Sequence, residues 1–570
     1  MLAVVGITVL PLAWRGSSCG QDFDFHLQNW LEVARSWRQG VVNPHWAASA
    51  NFLAGEPRFV FYPPLSRFLG AALGCVLPWS WTPLAFALVA LLGAAWSFRA
   101  MAREWVGDDN AAVAACLYVV NPYMMFVLYE RGALAELLAA IWVPLLVLYG
   151  LRLGNASEIA SGVRLALVIA ALWLTNAPAA VMSCYLLALI VAVAGLQARS
   201  WRLVGRAAWA VPLGLALAGF WLVPAIYEQR WVQIDQAIGP LMRVEDSFLF
   251  GYPRPPAGAN SDDLFDLNYH NHVLQTASWI VVALLLASAV AAWRARRRKS
   301  AVWVPLVIAG AGIAALQFRW SDFLWQAVPK LAFLQFPWRW MLVLGMIFAF
   351  LAGLALPAEI PTRRTVAVRA LVLLALAGSM AGLAAARFWQ PCDEDDNVAA
   401  QVQTFQQEGF PGTDEYTLQG VDLDAEGGIS GQDGATGPAT VMSRMEANSG
   451  GAGTGPGKRQ IAAHVQVDRW QTEHMTVDVA SPEPGFAVLR LMDYPAWRVT
   501  RNGIVAVGVR RNEDGWMAIP VEAGENRIDV RWRTTGDTWA GIGLSLGAVA
   551  ITLALIWGAG RKLQPDLART

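Results

Sequence analysis

Residues 273–299 read VLQTASWIVVALLLASAVAAWRARRRK. The stretch 273–293 carries no charge and is long enough to cross a bilayer as a helix, which takes about 20 mostly apolar residues. Arg294, Arg296, Arg297, Arg298 and Lys299 follow at once, and such a basic run marks a cytoplasmic flank. Outward from this junction, similar segments lie at about 1–14, 82–99, 109–128, 134–152, 163–175, 178–197, 207–226, 302–317, 338–356, 366–386 and 538–558. The first is short and lacks a basic flank, as a signal anchor or a start lying further upstream would. Alternation then predicts twelve spans with both termini inside. Each predicted inside loop is basic: Arg99 and Arg103, Arg152 and Arg164, Arg199 to Arg206, Arg363 to Arg369, and Arg561 with Lys562. Counting the apolar stretch 61–77 as a span would put the arginine run outside, so it reads as juxtamembrane or re-entrant. Pro178 disfavours helix at Ala177, which predicts a tight turn between the fifth and sixth spans.

The composition agrees. Of 570 residues, 56% are hydrophobic and 15% charged, with a mean hydropathy of +0.40. Soluble domains are about a quarter charged, so an ordinary cytosolic enzyme is excluded, as is a disordered chain. Lys+Arg 43 against Asp+Glu 43 leaves no net field to recruit nucleic acid. The 28 tryptophans suit membrane–water interfaces. Of the 5 cysteines only Cys19 and Cys392 fall in polar segments. The sequence allows a disulfide between them, but the odd count favours unpaired thiols.

The expected organisation is a transmembrane module over 1–386 with an external loop at 15–63, then an external linker at 387–459. A β-sandwich at 460–537 and a final span with a cytoplasmic tail at 538–570 complete it. Residues 420–458 are rich in Gly, Asp and Ser and read as flexible. Beyond them, short alternating runs and the Asn502-Gly503 turn signal predict hairpins. The topology puts the loops at 227–272 and 318–337, the 129–133 corner and all six histidines on this external side.

Chemistry concentrates in few places. The first external loop opens Gly20-Gln21-Asp22-Phe23-Asp24-Phe25-His26. On a helix Asp22 and His26 share a face, and from Phe23 a stripe of Leu27, Trp30, Leu31, Ala34 and Trp37 faces away from Gln28, Asn29, Glu32, Arg35 and Arg38. That predicts an amphipathic interfacial helix with its acids at the membrane rim. Asp22, Asp24 and His26 there suit a general base, or Asp22 and Asp24 a divalent cation such as Mg or Mn; a plain helix N-cap is the competing reading. A second corner runs Tyr129-Glu130-Arg131-Gly132-Ala133-Leu134-Ala135-Glu136. Glu136 sits a turn into a span, where an ionisable side chain is costly and suggests function; internal pairing of Glu130 or Glu136 with Arg131 explains it equally well. Arg131, Arg319, Lys330 and Arg339 are the external cations. Arginine suits a lipid-linked phosphate, and snorkelling to headgroups is the commoner alternative. His270-Asn271-His272 could supply a ligand or an acid/base group. The chain has no Gly-rich phosphate loop, zinc spacing or nucleophile elbow.

Several of these motifs, in this order, resemble a family. Gly20-x-Asp22-x-x-x-His26, Phe61-Tyr62-Pro63-Pro64-Leu65, Arg131-Gly132-Ala133-x-x-Glu136, Gln335-Phe336-Pro337-Trp338-Arg339 and Tyr494-Pro495-Ala496-Trp497-Arg498 look like the YfhO-like, or 6-pyruvoyl-tetrahydropterin synthase-related, membrane proteins. No pterin site accompanies them. That family in turn is similar to the C superfamily of glycosyltransferases, multispan enzymes with an acidic residue in the first external loop and a polyprenyl-phosphate-linked sugar donor. Tyr62 stands where several of them have lysine before Pro-Pro-Leu. The resemblance implies a glycosyltransferase of a bacterial-type cytoplasmic membrane, its β-domain outside, acting on a glycan, lipid or protein acceptor with Asp22 as base and inversion. Asp24 is the second base candidate, and Glu136 and His26 would orient the acceptor or assist proton transfer. Glu130, Arg131, Tyr62, Arg339, His270 and His272 would bind substrate, and the β-domain would bind acceptor glycan or act as a lid. A non-catalytic protein for lipid or glycan translocation or assembly is the other reading.

Overall fold

The computed structural model describes residues 1–154, 158–256, 258–298, 300–358, 361–421, 438–444, 456–511 and 515–567. Among them seven helices are long and apolar enough to cross a membrane: 79–106, 134–152, 177–197, 261–298, 337–355, 363–388 and 536–558. Three bent pairs, 108–119 with 122–130, 202–217 with 219–231 and 303–316 with 319–327, turn by 42°, 77° and 100°. If each is one broken span the count is ten. The expected spans at 1–14 and 163–175 fall on shorter apolar helices, Leu2–Arg15 and Ile159–Thr175, and the excluded stretch at 61–77 carries another, Pro64–Val76. Length and composition therefore do not yield twelve. The chain is a polytopic α-helical membrane protein with a separate β-domain.

Local sequence explains the breaks. Asn121 accepts hydrogen bonds from Tyr123 N at 3.0 Å and Met124 N at 3.2 Å, and Pro122 takes the first helical position, where its missing N–H costs nothing. Asn176 likewise caps the helix Ala177–Gln197 through Ala179 N at 2.9 Å, so the expected turn is present.

The helix expected in the first external loop is Phe23–Arg38. Its apolar stripe is buried as expected, but Asn29 and Glu32 on the opposite face are also fully buried. The loop after the helix folds back over that face. Arg58 donates to Asn29 Oδ1 at 3.2 Å, while Arg35 donates to Glu32 and Ser49 N also reaches it. Buried polar groups need such partners, so protein also covers part of the face expected to be solvated.

The β-domain is two five-stranded antiparallel sheets. Asn502 and Gly503, both with positive φ, turn the chain between Trp497–Arg501 and Ile504–Val505, the geometry of a type I′ hairpin. Two strands extend the expected set: Ala439–Arg444 and Pro456–Gln460. The first lies within the stretch read as linker, where it pairs with Gly485–Met492, and the helix Val398–Gln407 lies there too. Most of the glycine-rich part, 422–437 and 445–455, is outside the described residues. Trp46 from the first external loop is fully buried in the core of the β-domain, against Tyr494, Trp497 and Trp532. A Cβ on Gly55 would strike its indole. The loop thus keys the β-domain onto the end of the helical module that carries Asp22.

Candidate functional site

Two backbone segments meet at the start of the helix Phe23–Arg38. Asp22 N donates to the Arg131 carbonyl at 2.7 Å and Gln21 N to the Glu130 carbonyl at 3.4 Å. The fit requires glycine at position 20, because a Cβ there would land on the Glu130 carbonyl oxygen, with the Arg131 carbonyl carbon 2.8 Å away. Gly132, at φ +62, turns the chain back toward Phe23 and into the short helix Leu134–Ala139. This puts Glu136 one turn beyond Arg131.

Asp22 occupies the N-cap position but makes no capping hydrogen bond. Its Oδ2 accepts from Arg131 at 2.8 Å. Arg131 also donates to Glu136 Oε2 at 3.0 Å, the Tyr123 hydroxyl donates to Glu136 Oε1, and the Arg339 Nε lies 3.8 Å from Glu136. Arg131 and Glu136 side chains are 1% and 3% exposed, whereas that of Asp22 is 34% exposed. Trp338 lies 5.0 Å from the Arg131 guanidinium and Phe336 lies 5.1 Å from that of Arg339, so stacking adds to the ion pairs that hold both planes. Arg339 is buried, which sets it apart from an arginine snorkelling to headgroups. Apart from the distant Glu136 contact and this stacking, its guanidinium has no partner among the described residues.

The remaining expected residues fall in two groups. His26 is buried behind Asp22, its ring between Ala135 N at 3.5 Å and the Tyr62 hydroxyl at 3.4 Å. Burial lowers its pKa to about 4, so the imidazole is neutral near pH 7. Burial also pushes the Tyr62 phenol above its ordinary value. Glu130 is fully buried and accepts from Gln390 at 2.9 Å. Asp24 is exposed on the helix start, within electrostatic range of Asp22 and Arg58. His270 contacts the Asp246 carbonyl at 3.0 Å and His272 is exposed; neither touches the Asp22 cluster. Tyr123, Gln390 and Tyr269, the last within electrostatic range of Asp22 and Arg131, are additions. No motif marks them: Tyr123 lies in an apolar run, Gln390 follows a span and Tyr269 sits in the polar stretch before the span at 273–293.

A disulfide joins Cys19 to Cys392, which corrects the expectation of unpaired thiols; Cys75, Cys116 and Cys184 are free. It fastens the chain beside Asp22 to the segment that presents Gln390 to Glu130. Cys19 N also donates to the Gln390 carbonyl at 3.0 Å. Among the described residues no group of three or more His, Cys, Asp or Glu side chains is placed to hold a metal. Asp22 and Asp24, the pair expected to hold a divalent cation if one is present, both lie at the start of the helix Phe23–Arg38, with Asp22 Oδ2 on Arg131.

Among solved structures, the mycobacterial arabinofuranosyltransferase AftD is similar at 20% identity and a TM-score of 0.42, over 68% of this chain and 26% of that one. This chain thus spans about a quarter of that protein. The Archaeoglobus fulgidus oligosaccharyltransferase, solved with Zn and sulfate, is similar at 14% and 0.34, covering 69% and 54%. ArnT from Cupriavidus metallidurans, bound to undecaprenyl phosphate, is similar at 13% and 0.31, covering 62% and 76%. No curated protein sequence matches. The family described as 6-pyruvoyl-tetrahydropterin synthase related domain, membrane protein, matches residues 59–386. That is more than half of the chain, from the end of the first external loop through the penultimate span, and the chain belongs to this family.

Proposed function

We propose that the chain is an integral-membrane glycosyltransferase that moves a sugar from a polyprenyl-phosphate-linked donor to an extracytoplasmic acceptor, with inversion. The observation that carries this reading is the state of Asp22. One carboxylate oxygen is fixed by a buried arginine, and the other, Oδ1, has no partner among the described residues on a side chain that is 34% exposed. An oriented carboxylate with one open oxygen is what a general base needs.

In this mechanism Asp22 Oδ1 takes the proton of an acceptor hydroxyl as that oxygen attacks the anomeric carbon. The bond from that carbon to the phosphate oxygen breaks and the polyprenyl phosphate leaves with the electron pair. Arg339, whose guanidinium is otherwise little engaged, offsets the charge of the leaving phosphate. Arg131 and Glu136 keep the Asp22 carboxylate in register, and neutral His26 packs behind it. The protein would sit in a bacterial-type cytoplasmic membrane with the β-domain outside, where a disulfide such as Cys19–Cys392 persists.

The test is transfer from labelled polyprenyl-phosphate sugars in membranes carrying the parent chain or Asp22→Asn. Transfer by the parent and loss in the variant support the reading; equal transfer by both overturns the assigned base.

A further inference from the structure

We infer that a groove beside this centre, between residues 245–254 and the turn Phe318–Trp320, is a binding site for neutral carbohydrate; its role as the acceptor subsite rests on the transferase reading. The groove is a concavity of about 860 Å3 whose walls include Glu245, Asp246, Phe250, Tyr252, Arg319 and Trp320. That volume suits a small ligand, and such sites combine apolar faces with a few orienting polar groups.

The wall is held in an unusual conformation. Phe250 has φ +54, a region that a bulky residue adopts only when its surroundings impose it, and such strain gathers at binding sites. Here the Phe250 amide donates to Ser278 Oγ at 3.1 Å, the Leu249 amide to the Gln317 carbonyl at 3.0 Å, and the Asp246 carbonyl meets His270 at 3.0 Å. The aromatic residues are exposed, Phe250 by 39%, Tyr252 by 41% and Trp320 by 62%, with the Phe250 ring edge-on to Trp279 at 5.2 Å.

The polar groups face the same space and are unspent. Glu245 and Arg319 have no side-chain partner among the described residues, and Asp246 commits only Oδ2, to Leu241 N at 3.2 Å. Two adjacent carboxylates repel a lipid phosphate, and four ionisable residues among the lining ones, Glu245, Asp246, Arg254 and Arg319, do not suit a hydrocarbon tail. A sugar fits both demands. Its apolar C–H face lies on the aromatic rings, and its hydroxyls donate to carboxylates and accept from arginine. The groove is also tied to the catalytic end. Gln317 donates to the Pro337 carbonyl at 3.0 Å, two residues before Arg339, and His270 adjoins Tyr269, which is within electrostatic range of Asp22.

The test uses the purified full chain in nanodiscs and saturation-transfer NMR with soluble neutral oligosaccharides: malto-, cello-, xylo- and mannohexaose. Binding of at least one is expected, weakened roughly tenfold by Trp320→Ala or Phe250→Leu and less by Glu245→Gln. Trp320 is exposed, so its removal leaves the thermal transition in place. Asp22→Asn leaves this binding intact, which separates the groove from the catalytic assignment. If transfer requires Asp22 but no sugar binds, or binding survives Trp320→Ala, the groove inference fails and the transferase reading stands. If sugar binds as described and transfer ignores Asp22, the reverse holds. Displacement of the sugar by farnesyl phosphate, itself weakened by the same substitutions, would assign the groove to lipid and overturn the inference.

Discussion

Arg131 holds Asp22 by a single carboxylate oxygen at 2.8 Å while its other amino group holds Glu136 at 3.0 Å. The two pairs differ in environment. Glu136 is enclosed with Arg131, whereas Asp22 opens to solvent. Removing one member of a buried pair strands the other charge, at a cost of about 3–5 kcal/mol. Arg131→Met is therefore expected to destabilise the protein by that order, read as unfolding of the purified chain in detergent. Asp22→Asn keeps an oxygen for Arg131 and should leave the unfolding transition nearly in place, while lowering transfer by about 10²–10⁴-fold. Similar unfolding in both variants would show that Glu136 does not depend on Arg131 as argued.

Gly20 tests whether that pairing depends on backbone contact. An added methyl meets the Glu130 carbonyl and the Arg131 carbonyl carbon, neither of which can rotate away as a side chain would. Gly20→Ala is expected to cost about 1–3 kcal/mol, the usual range for overpacking, and to reduce transfer with it. Gly378, inside the helix Arg363–Leu383 with nothing within 4 Å of a built Cβ, is the control: Gly378→Ala should be neutral or mildly stabilising.

Much of this was legible before the structure. Apolar length marks the spans, and Arg131 and Glu136 stand out because charge at the edge of an apolar helix needs a reason. The N-cap alternative for Asp22 could be settled only by seeing its carboxylate turn to Arg131 and away from its own helix. Asn29 and Glu32 misread as a solvated face because periodicity records polarity, and their partners Arg58 and Ser49 arrive from a loop that periodicity does not place. Tyr123 gives no signal, since a tyrosine in an apolar run looks like core. Cys19 and Cys392 are 373 residues apart, and nothing local brings them together. The strand Ala439–Arg444 escaped because glycine-rich neighbours mask its alternation.

The disulfide predicts a labelling pattern. In denatured, unreduced protein a thiol reagent should modify Cys75, Cys116 and Cys184 only, with two further sites appearing after reduction. Because Cys19 and Cys392 frame Asp22 and Gln390, Cys19→Ser with Cys392→Ser should destabilise the fold by about 2–5 kcal/mol. In intact cells, the proposed outer-side placement of the pair predicts its reduction by a membrane-impermeant phosphine. Protection from that reagent would reverse the assigned orientation.

A chelator addresses the cation expectation. Because Arg131 holds Asp22 Oδ2 and leaves Oδ1 to take the proton directly, transfer by this route should be unchanged by EDTA and by added Mg²⁺ or Mn²⁺. Loss on chelation, restored by one of these ions, would overturn this direct route.

His26 sets a pH limit on stability. Its pKa falls from 6.5 to about 4 because burial outweighs the attraction of Asp22 and adds to the repulsion of Arg131. In the unfolded chain the imidazole takes up a proton near its ordinary pKa, but in the folded chain only near 4. The unfolded state therefore binds more protons between these values, and stability falls as pH drops through that window. The stabilisation is fully present above about pH 6.5 and lost by about pH 4, and it amounts to about 3 kcal/mol. Other groups titrate over the same range, so the reading is the difference between parent and His26→Gln, which keeps a polar side chain near Ala135 N and Tyr62. The two unfolding profiles should converge toward low pH and separate above pH 6.5, with the parent more stable. Parallel profiles would mean that the imidazole is solvated in the folded protein, and the packing drawn between Asp22, Tyr62 and Ala135 would be wrong.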